Sequence, residues 1–489
     1  MSSKPSDPPH YERIRILSLD GGGIYGLTSA LLLRKLCERD CKFLTASDTD
    51  QTFHMFAGTS SGAVNALLMA KYDNPRDAVM SGELEAFWQE SSVFHSGVPG
   101  LGALGITAQY AAQQFLAQLH RYFGYLRLGE LRHHVLISAF NWTGATGHER
   151  DPDLLAGSPN PDRQLFTRFR PPPHRSDTRA GQYQRHWKPK FFDNFMDDDD
   201  DFRVLAAHVA YVATAPPGLR PLIGGLGDGG SFNANPSVPA LARVTNVFRV
   251  RAQQQKSAGA GEAPGAAGLG GMLELLTSKR GREEFWRQSK RAAKGAKKGG
   301  VEGEASEDLG TSPREHQERV GGILERTALL SVGSGQVLPH SAFQMSNFGP
   351  LSAMMMPSNP MTGAWLSPAW YSLDAASEES DYIVKQLLTT ERTLRLNPPL
   401  NPVPTVMAAM MARSNFMRQQ LIRSIYSAVD GPEARHAIDE TVKFIRRDYQ
   451  TREPPTPTPV RARPEKTRER EPKQRVAKGG GWSKRKRGD

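Results

Sequence analysis

Ile16-Leu-Ser-Leu-Asp-Gly-Gly-Gly-Ile-Tyr-Gly26 and Phe53-His-Met-Phe-Ala-Gly-Thr-Ser-Ser-Gly-Ala63 stand about forty residues apart near the start of the chain. Each reads as a short apolar strand running into a glycine turn and then a helix. Ile14–Leu19 alternates too little for a half-exposed strand and suits a buried parallel one. Thr28–Leu36 follows as a helix, Phe53–Ala57 as a second strand, and Ala63–Lys71 as a helix with small and apolar residues facing the sheet. Strand, glycine turn, helix, twice over, is the rhythm of a parallel α/β sheet. The expectation is a three-layer α/β/α fold around a central, mostly parallel sheet.

Working outward, Leu84–Ser91 and Ala108–Tyr122 read as helices and His134–Phe140 as a strand. Phe202–Thr214 and Leu241–Arg249 have helical spacing. Thr327–Gly335 reads as a strand ending in a Gly-Ser-Gly turn, and Tyr382–Leu388, Val406–Tyr426 and Glu433–Tyr449 as helices. Between these the pattern collapses twice, into Pro, Arg, Gly and Asp after Thr143 and into low complexity after Gln253, relieved by a short helix at Met272–Thr277. The organisation read from this is a disordered N-terminus (1–12) and a main domain (13–400) with insertions at 143–200 and 253–313. C-terminal helices (401–450) and a basic disordered tail (451–489) follow.

The 489 residues carry a formal net charge of +11. Lys279–Lys298 contributes net +7 and Thr451–Asp489 net +8, so the remainder is about −4. The basic character therefore describes two flexible segments and says little about the folded core. Cys37 and Cys41 have no second pair with which to bind zinc and read as reduced, structural residues. The polar start lacks the apolar core of a signal peptide, and no apolar run approaches the roughly 20 residues that span a bilayer. The expectation is a cytoplasmic protein, soluble or held at a membrane surface. The run Asp197–Asp201 suits a helix start; a metal site would want an accompanying histidine or glutamate cluster, and none is present. Neither metal nor cofactor is expected.

Gly58-Thr-Ser-Ser-Gly62 has the form G-x-S-x-G. A serine nucleophile must project from a sharp strand-to-helix turn, and glycines two before and two after relieve the crowding. Ser60 is at the centre and Ser61 opens the helix, whose N-terminus favours negative charge beside Ser60. Gly21-Gly-Gly-Ile-Tyr-Gly26 also matches G-x-G-x-x-G, a spacing that recurs at Gly225, Gly227 and Gly230. A dinucleotide site would want an acidic residue ending the next strand, where Ala57-Gly58-Thr59-Ser60 stands instead. Consecutive glycines do leave backbone N–H groups unshielded, as an oxyanion hole requires. None of the thirteen histidines sits at an obvious turn after a late strand. Asp228, in Gly227-Asp-Gly-Gly230, does stand at a turn and as base would make a two-residue centre, although Asp-Gly is also a common turn.

Together these segments resemble the patatin-like phospholipase family, whose marks are D-G-G-G-x-x-G, G-x-S-x-G and D-G-G or D-G-A. They occur in that order, as Asp20–Gly26, Gly58–Gly62 and Asp228–Gly230. Ala213-Thr-Ala-Pro-Pro217, Asn233-Ala-Asn-Pro236, Ser331-Val-Gly-Ser-Gly335 and Arg395-Leu-Asn-Pro398 are similar to lesser elements of the family. The resemblance spans about Ile14 to Leu400. It implies a lipid acyl hydrolase of phospholipase A or lysophospholipase type, with Ser60 as nucleophile and Asp228 as base. The oxyanion hole would be the N–H groups of Gly21, Gly22 and Gly23, and Gly26, Gly58, Gly62, Gly229 and Gly230 the motif glycines. Members often carry Arg or Lys where this chain has Tyr25, which removes a cation beside the turn.

The implied partner is a phospholipid or other acyl lipid, with the basic tail as a contact for an anionic surface and nucleic acid the less expected ligand. A methionine-rich stretch from Met345 to Met417 suits either an acyl-chain groove or an ordinary soft core. Met410, Met417, Leu421 and Ile425 share one helical face. The competing reading is a basic protein binding nucleic acid or anionic lipid through Trp482 and Lys484-Arg-Lys-Arg487, its α/β core inactive or regulatory.

Overall fold

The computed structural model describes residues 14–46, 52–90, 112–142, 188–195, 200–215, 222–223, 225–257, 320–336, 368–399 and 415–450. At its centre lies β1 (Ile14–Leu19), paired in parallel with β2 (Met55–Thr59) on one side and β6 (Thr327–Val332) on the other. Ile16, Leu17 and Leu19 are fully buried. A strand covered on both faces needs apolar side chains at successive positions, which explains its weak alternation. β3 (His134–Asn141) extends the parallel run beyond β2, and β7 (Thr393–Leu396) beyond β6. β4 (Lys188–Asp193) and β5 (Leu226–Asp228) both pair antiparallel with β3, giving the order β4-β3-β2-β1-β6-β7 with β5 beside β3.

Two apolar layers sandwich this sheet. Leu17 and Leu19 join one layer with α1 (Gly26–Arg39), α2 (Ser61–Ala70), α3 (Pro75–Met80), α4 (Glu83–Gln89), α5 (Ala112–Phe123) and α6 (Ala206–Ala213). Ile14 and Ile16 join the other with α7 (Ser237–Ser257) and α8 (Pro368–Leu387). The alternation of β1 side chains sends its two sets to opposite faces, so the fold is three-layered α/β/α. The last two helices, α9 (Asn415–Val429) and α10 (Pro432–Gln450), pack on α1. Leu421, Ile425, Val429, Ile438, Val442 and Ile445 belong to the same apolar layer as Leu31.

Several elements differ from expectation. β4 lies inside the stretch read as an insertion at 143–200, because Lys188-Pro-Lys190 at an edge is half polar and carries no hydrophobic period. β5 has three residues and β7 four, too short for a periodic signal. β2 runs two residues further than Phe53–Ala57, so Gly58 and Thr59 are in the sheet. Asp201 caps no long helix; it is buried and ion-paired with Lys190 at 2.6 Å, and α6 begins only at Ala206. Cys37 is buried, its thiol pushed up to about 12 by desolvation, whereas Cys41 is exposed. Met272–Thr277, most of the methionine-rich stretch and the tail lie outside the described residues.

Candidate active site

The C-terminal ends of β1, β2, β6 and β7 lie along one edge of the sheet, where open α/β sheets place their sites. β2 ends at Thr59, and Ser60 takes φ 51°, ψ −120° before α2 begins at Ser61. Positive φ in a residue with a side chain is strained, and a sharp strand-to-helix turn demands it. The turn closes only with glycine at Gly62, where a Cβ would lie 2.2 Å from the Leu19 carbonyl oxygen. Gly58 sits against Ala63 across the same turn. Ser60 is half-buried, while the hydroxyl of Ser61 is fully buried without a partner among the described residues.

Asp228 reaches Ser60 through strand register. β2 pairs with β3 from His134 to Ser138, and β5 pairs with Ala139 to Asn141. β4 occupies the opposite edge of β3, so β5 continues the edge where β2 stops. Thr59 faces Ser138 and Asp228 faces Ala139, one step along. The Ser60 hydroxyl donates to Asp228 Oδ2 at 2.7 Å, and the Gly230 N–H donates to Oδ1 at 2.7 Å. Asp228 is buried, and its own N–H donates to the Ala215 carbonyl at 3.1 Å. Gly229 packs on the Ser138 backbone, with 2.5 Å between that carbonyl carbon and any added Cβ. The serine–carboxylate contact is direct, leaving no space for an imidazole between them.

Gly21 lies against Ser60, 3.0 Å from its Cβ to a Cβ built on the glycine. Its N–H, however, donates to the Ala234 carbonyl at 2.9 Å. Gly21 is therefore an anchor of the turn, and its expected place among the oxyanion donors is corrected. Gly22 and Gly23 donate to no group among the described residues, and Gly23 has φ 58°. Gly26 opens α1 against Trp88, and Asn65 ties the two together, donating to the Gly26 carbonyl at 2.9 Å and accepting from Trp88 Nε1 at 2.8 Å. Tyr25 is 2 % exposed and packs in the apolar layer, its phenol pushed well up by burial.

The patatin-like phospholipase family model matches residues 17–241, a range that holds Asp20–Gly26, Gly58–Gly62 and Asp228–Gly230. Over those residues the chain is similar to patatin-like phospholipases. Among individual proteins, calcium-independent phospholipase A2-gamma of Homo sapiens is 39% identical over 71 residues, 14% of this chain and 8% of the human protein. The forms from Rattus norvegicus and Mus musculus are 38% identical over the same extent. The aligned stretch thus spans under a tenth of those relatives.

Three supports of the site are tertiary pairings that the sequence does not show. The Ala234 carbonyl holds Gly21. Asn233 Nδ2 donates to Ser138 Oγ at 3.2 Å and holds the turn after Asp228. Asp20, just before the glycines, is buried with Arg395, whose Nη2 lies 2.7 Å from Asp20 Oδ2. Burial pushes the Asp20 carboxyl up, against the pull of the Arg395 guanidinium. The partners of each pair lie far apart in sequence; the segments around Asn233, Ser331 and Arg395 stand out in it, but not what their side chains meet.

Proposed function

We propose that the chain is a lipid acyl hydrolase, cleaving carboxylic ester bonds of membrane lipids in the manner of a phospholipase A or lysophospholipase. The observation that carries this reading is the 2.7 Å hydrogen bond from Ser60, on its strained turn, to Asp228 Oδ2. As the Ser60 oxygen attacks the ester carbonyl carbon, its proton passes to Asp228 Oδ2. The carbonyl oxygen becomes an oxyanion, for which the N–H groups of Gly22 and Gly23 and the start of α2 are the available donors. Collapse breaks the bond to the alkoxy oxygen, which takes the proton from Asp228 and leaves as the alcohol, here a lysolipid. The acyl-serine is then attacked by water that gives a proton to Asp228. Fatty acid departs as the Ser60 hydroxyl is restored. The Gly230 N–H on Oδ1 keeps the other carboxylate oxygen turned to Ser60.

The test is hydrolysis of a short-chain nitrophenyl ester, followed by lipid profiling with a mixed phospholipid extract. Ser60→Ala and Asp228→Ala should each abolish turnover, since nucleophile and base act as one unit. Ser61→Ala should retain most of it, because that hydroxyl is buried. Activity that survives Ser60→Ala but not Ser61→Ala would overturn the assignment.

A further inference from the structure

β6, α8 and β7 lie beyond the residues that the family model matches, yet they close on the glycine turn. The Arg395 side chain of β7 is 8 % exposed, and its two terminal nitrogens serve different partners. Nη2 donates to Asp20 Oδ2 at 2.7 Å and to Ser377 Oγ at 2.8 Å; Nη1 donates to Ser331 Oγ at 2.9 Å. Ser377 in turn donates to Asp20 Oδ2 at 3.0 Å. Two residues along, Asn397 Oδ1 accepts the Gly335 N–H at 2.9 Å and shapes the Gly333–Gly335 turn. From that turn Ser334 Oγ donates to the Gly21 carbonyl at 3.0 Å, and it stands 2.3 Å from where a Gly22 Cβ would be.

Three consecutive glycines make the loosest backbone available. Their N–H groups can serve a transition state only if the turn is held before the reaction begins. A buried ion pair is a weak source of net stability, since apolar replacements of similar volume often do as well. What the Arg395 fork provides is geometry: it ties the residue before the glycines to the end of β6 and the middle of α8. We infer that Arg395 and Ser334 are positioning residues, gripping the Asp20 carboxylate and the Gly21 carbonyl so that the N–H groups of Gly22 and Gly23 stay aimed at the carbonyl that Ser60 attacks. This rests on the acyl hydrolase reading above and adds to it that the oxyanion turn is set by the second half of the sheet.

The experiment compares nitrophenyl ester turnover per active site, with sites counted by complete titration with a fluorophosphonate, in the full chain and three variants, and turnover per mole of protein in a fourth that lacks the Ser60 hydroxyl. Ser334→Ala should lower kcat about tenfold, the loss of roughly one hydrogen bond's positioning, with KM nearly unchanged. Arg395→Lys keeps the charge and loses the fork; it should lower kcat on the order of 10²-fold. Asp20→Asn combined with Arg395→Met removes both charges together, and should melt near the full chain while turning over no faster than Arg395→Lys. Loss of Tm or of titratable sites at unchanged turnover per site would mean a merely structural role and overturn the inference. Should the Arg395 variants fail to fold, full turnover per site in Ser334→Ala overturns it by itself. Failure of the hydrolase reading is distinct: it shows in the unmodified chain, as absent ester hydrolysis or as hydrolysis that Ser60→Ala, the fourth variant, leaves intact.

Discussion

Ser60 holds a backbone conformation at φ 51° that a side-chain-bearing residue adopts at a cost of about 1–3 kcal/mol. Removing the hydroxyl alone leaves that strain in place. Ser60→Gly should therefore be more stable than Ser60→Ala by about 1 kcal/mol, the strain relieved less the added freedom of the unfolded chain. Paired denaturant titrations of these two variants check this; equal midpoints would mean that the turn is unstrained. A second residue sets a pH limit. His54 accepts the Arg15 N–H at Nδ1, 2.8 Å away, and its Nε2 is buried without a partner among the described residues. Burial first, then the charges of Arg15, His134 and His133, push its imidazole down to about 3. The unfolded chain takes up that proton near pH 6.5 and the folded chain does not. Stability is thus full above about pH 6.5 and falls as pH drops toward 3. His54→Asn keeps an acceptor for the Arg15 N–H and should flatten the loss between pH 7.5 and 5, read as denaturant midpoints.

At the scale of elements, α9 and α10 complete the layer that α1 needs. Seven of their large aliphatic side chains are buried there. At about 1.5–3 kcal/mol each, their burial rivals the net stability of an ordinary domain, about 5–15 kcal/mol. Polar ties reinforce the seam: Tyr426 donates to Glu85 Oε2 at 3.0 Å, and Arg446 Nε to Asp40 Oδ2 at 2.9 Å. Truncation after residue 414 should leave a chain that aggregates or lacks a cooperative melt, although no residue of the candidate site is removed. A truncated protein with an unchanged Tm would show that α1 does not depend on them.

For the whole molecule, the proposed activity requires the chain to meet a lipid surface. No helix among the described residues is long and apolar enough to cross a membrane. The net +8 of Thr451–Asp489 suits an anionic surface, where each nearby Lys or Arg contributes about 1 kcal/mol within a Debye length of roughly 8–10 Å. Deleting Thr451–Asp489 should weaken binding to anionic vesicles at low salt, with the difference shrinking as salt rises. Hydrolysis of a soluble ester should be unaffected. Equal vesicle binding with and without the segment at low salt would assign the tail to something else.

What the sequence determined by itself was local. The buried run of β1, the glycines of the two turns and the apolar faces of α1 and α2 each follow from neighbours a few residues apart, through side-chain direction and backbone sterics. Ser60 and Asp228 could be named from the turns around them and from the order of the motifs. How they meet is a tertiary matter, because it depends on β5 taking over the β3 edge where β2 ends, a pairing with no periodic signal in three residues. The same holds for Gly21, whose exposed-looking N–H is taken by a carbonyl more than two hundred residues away, and for Tyr25, whose place in the apolar layer no local pattern shows. Arg395 and Asp20 are 375 positions apart and meet only because β7 and β1 flank β6 in the sheet. Short-range preference decides which residues turn and which extend; strand order and register decide which polar groups face one another and which remain free for a substrate.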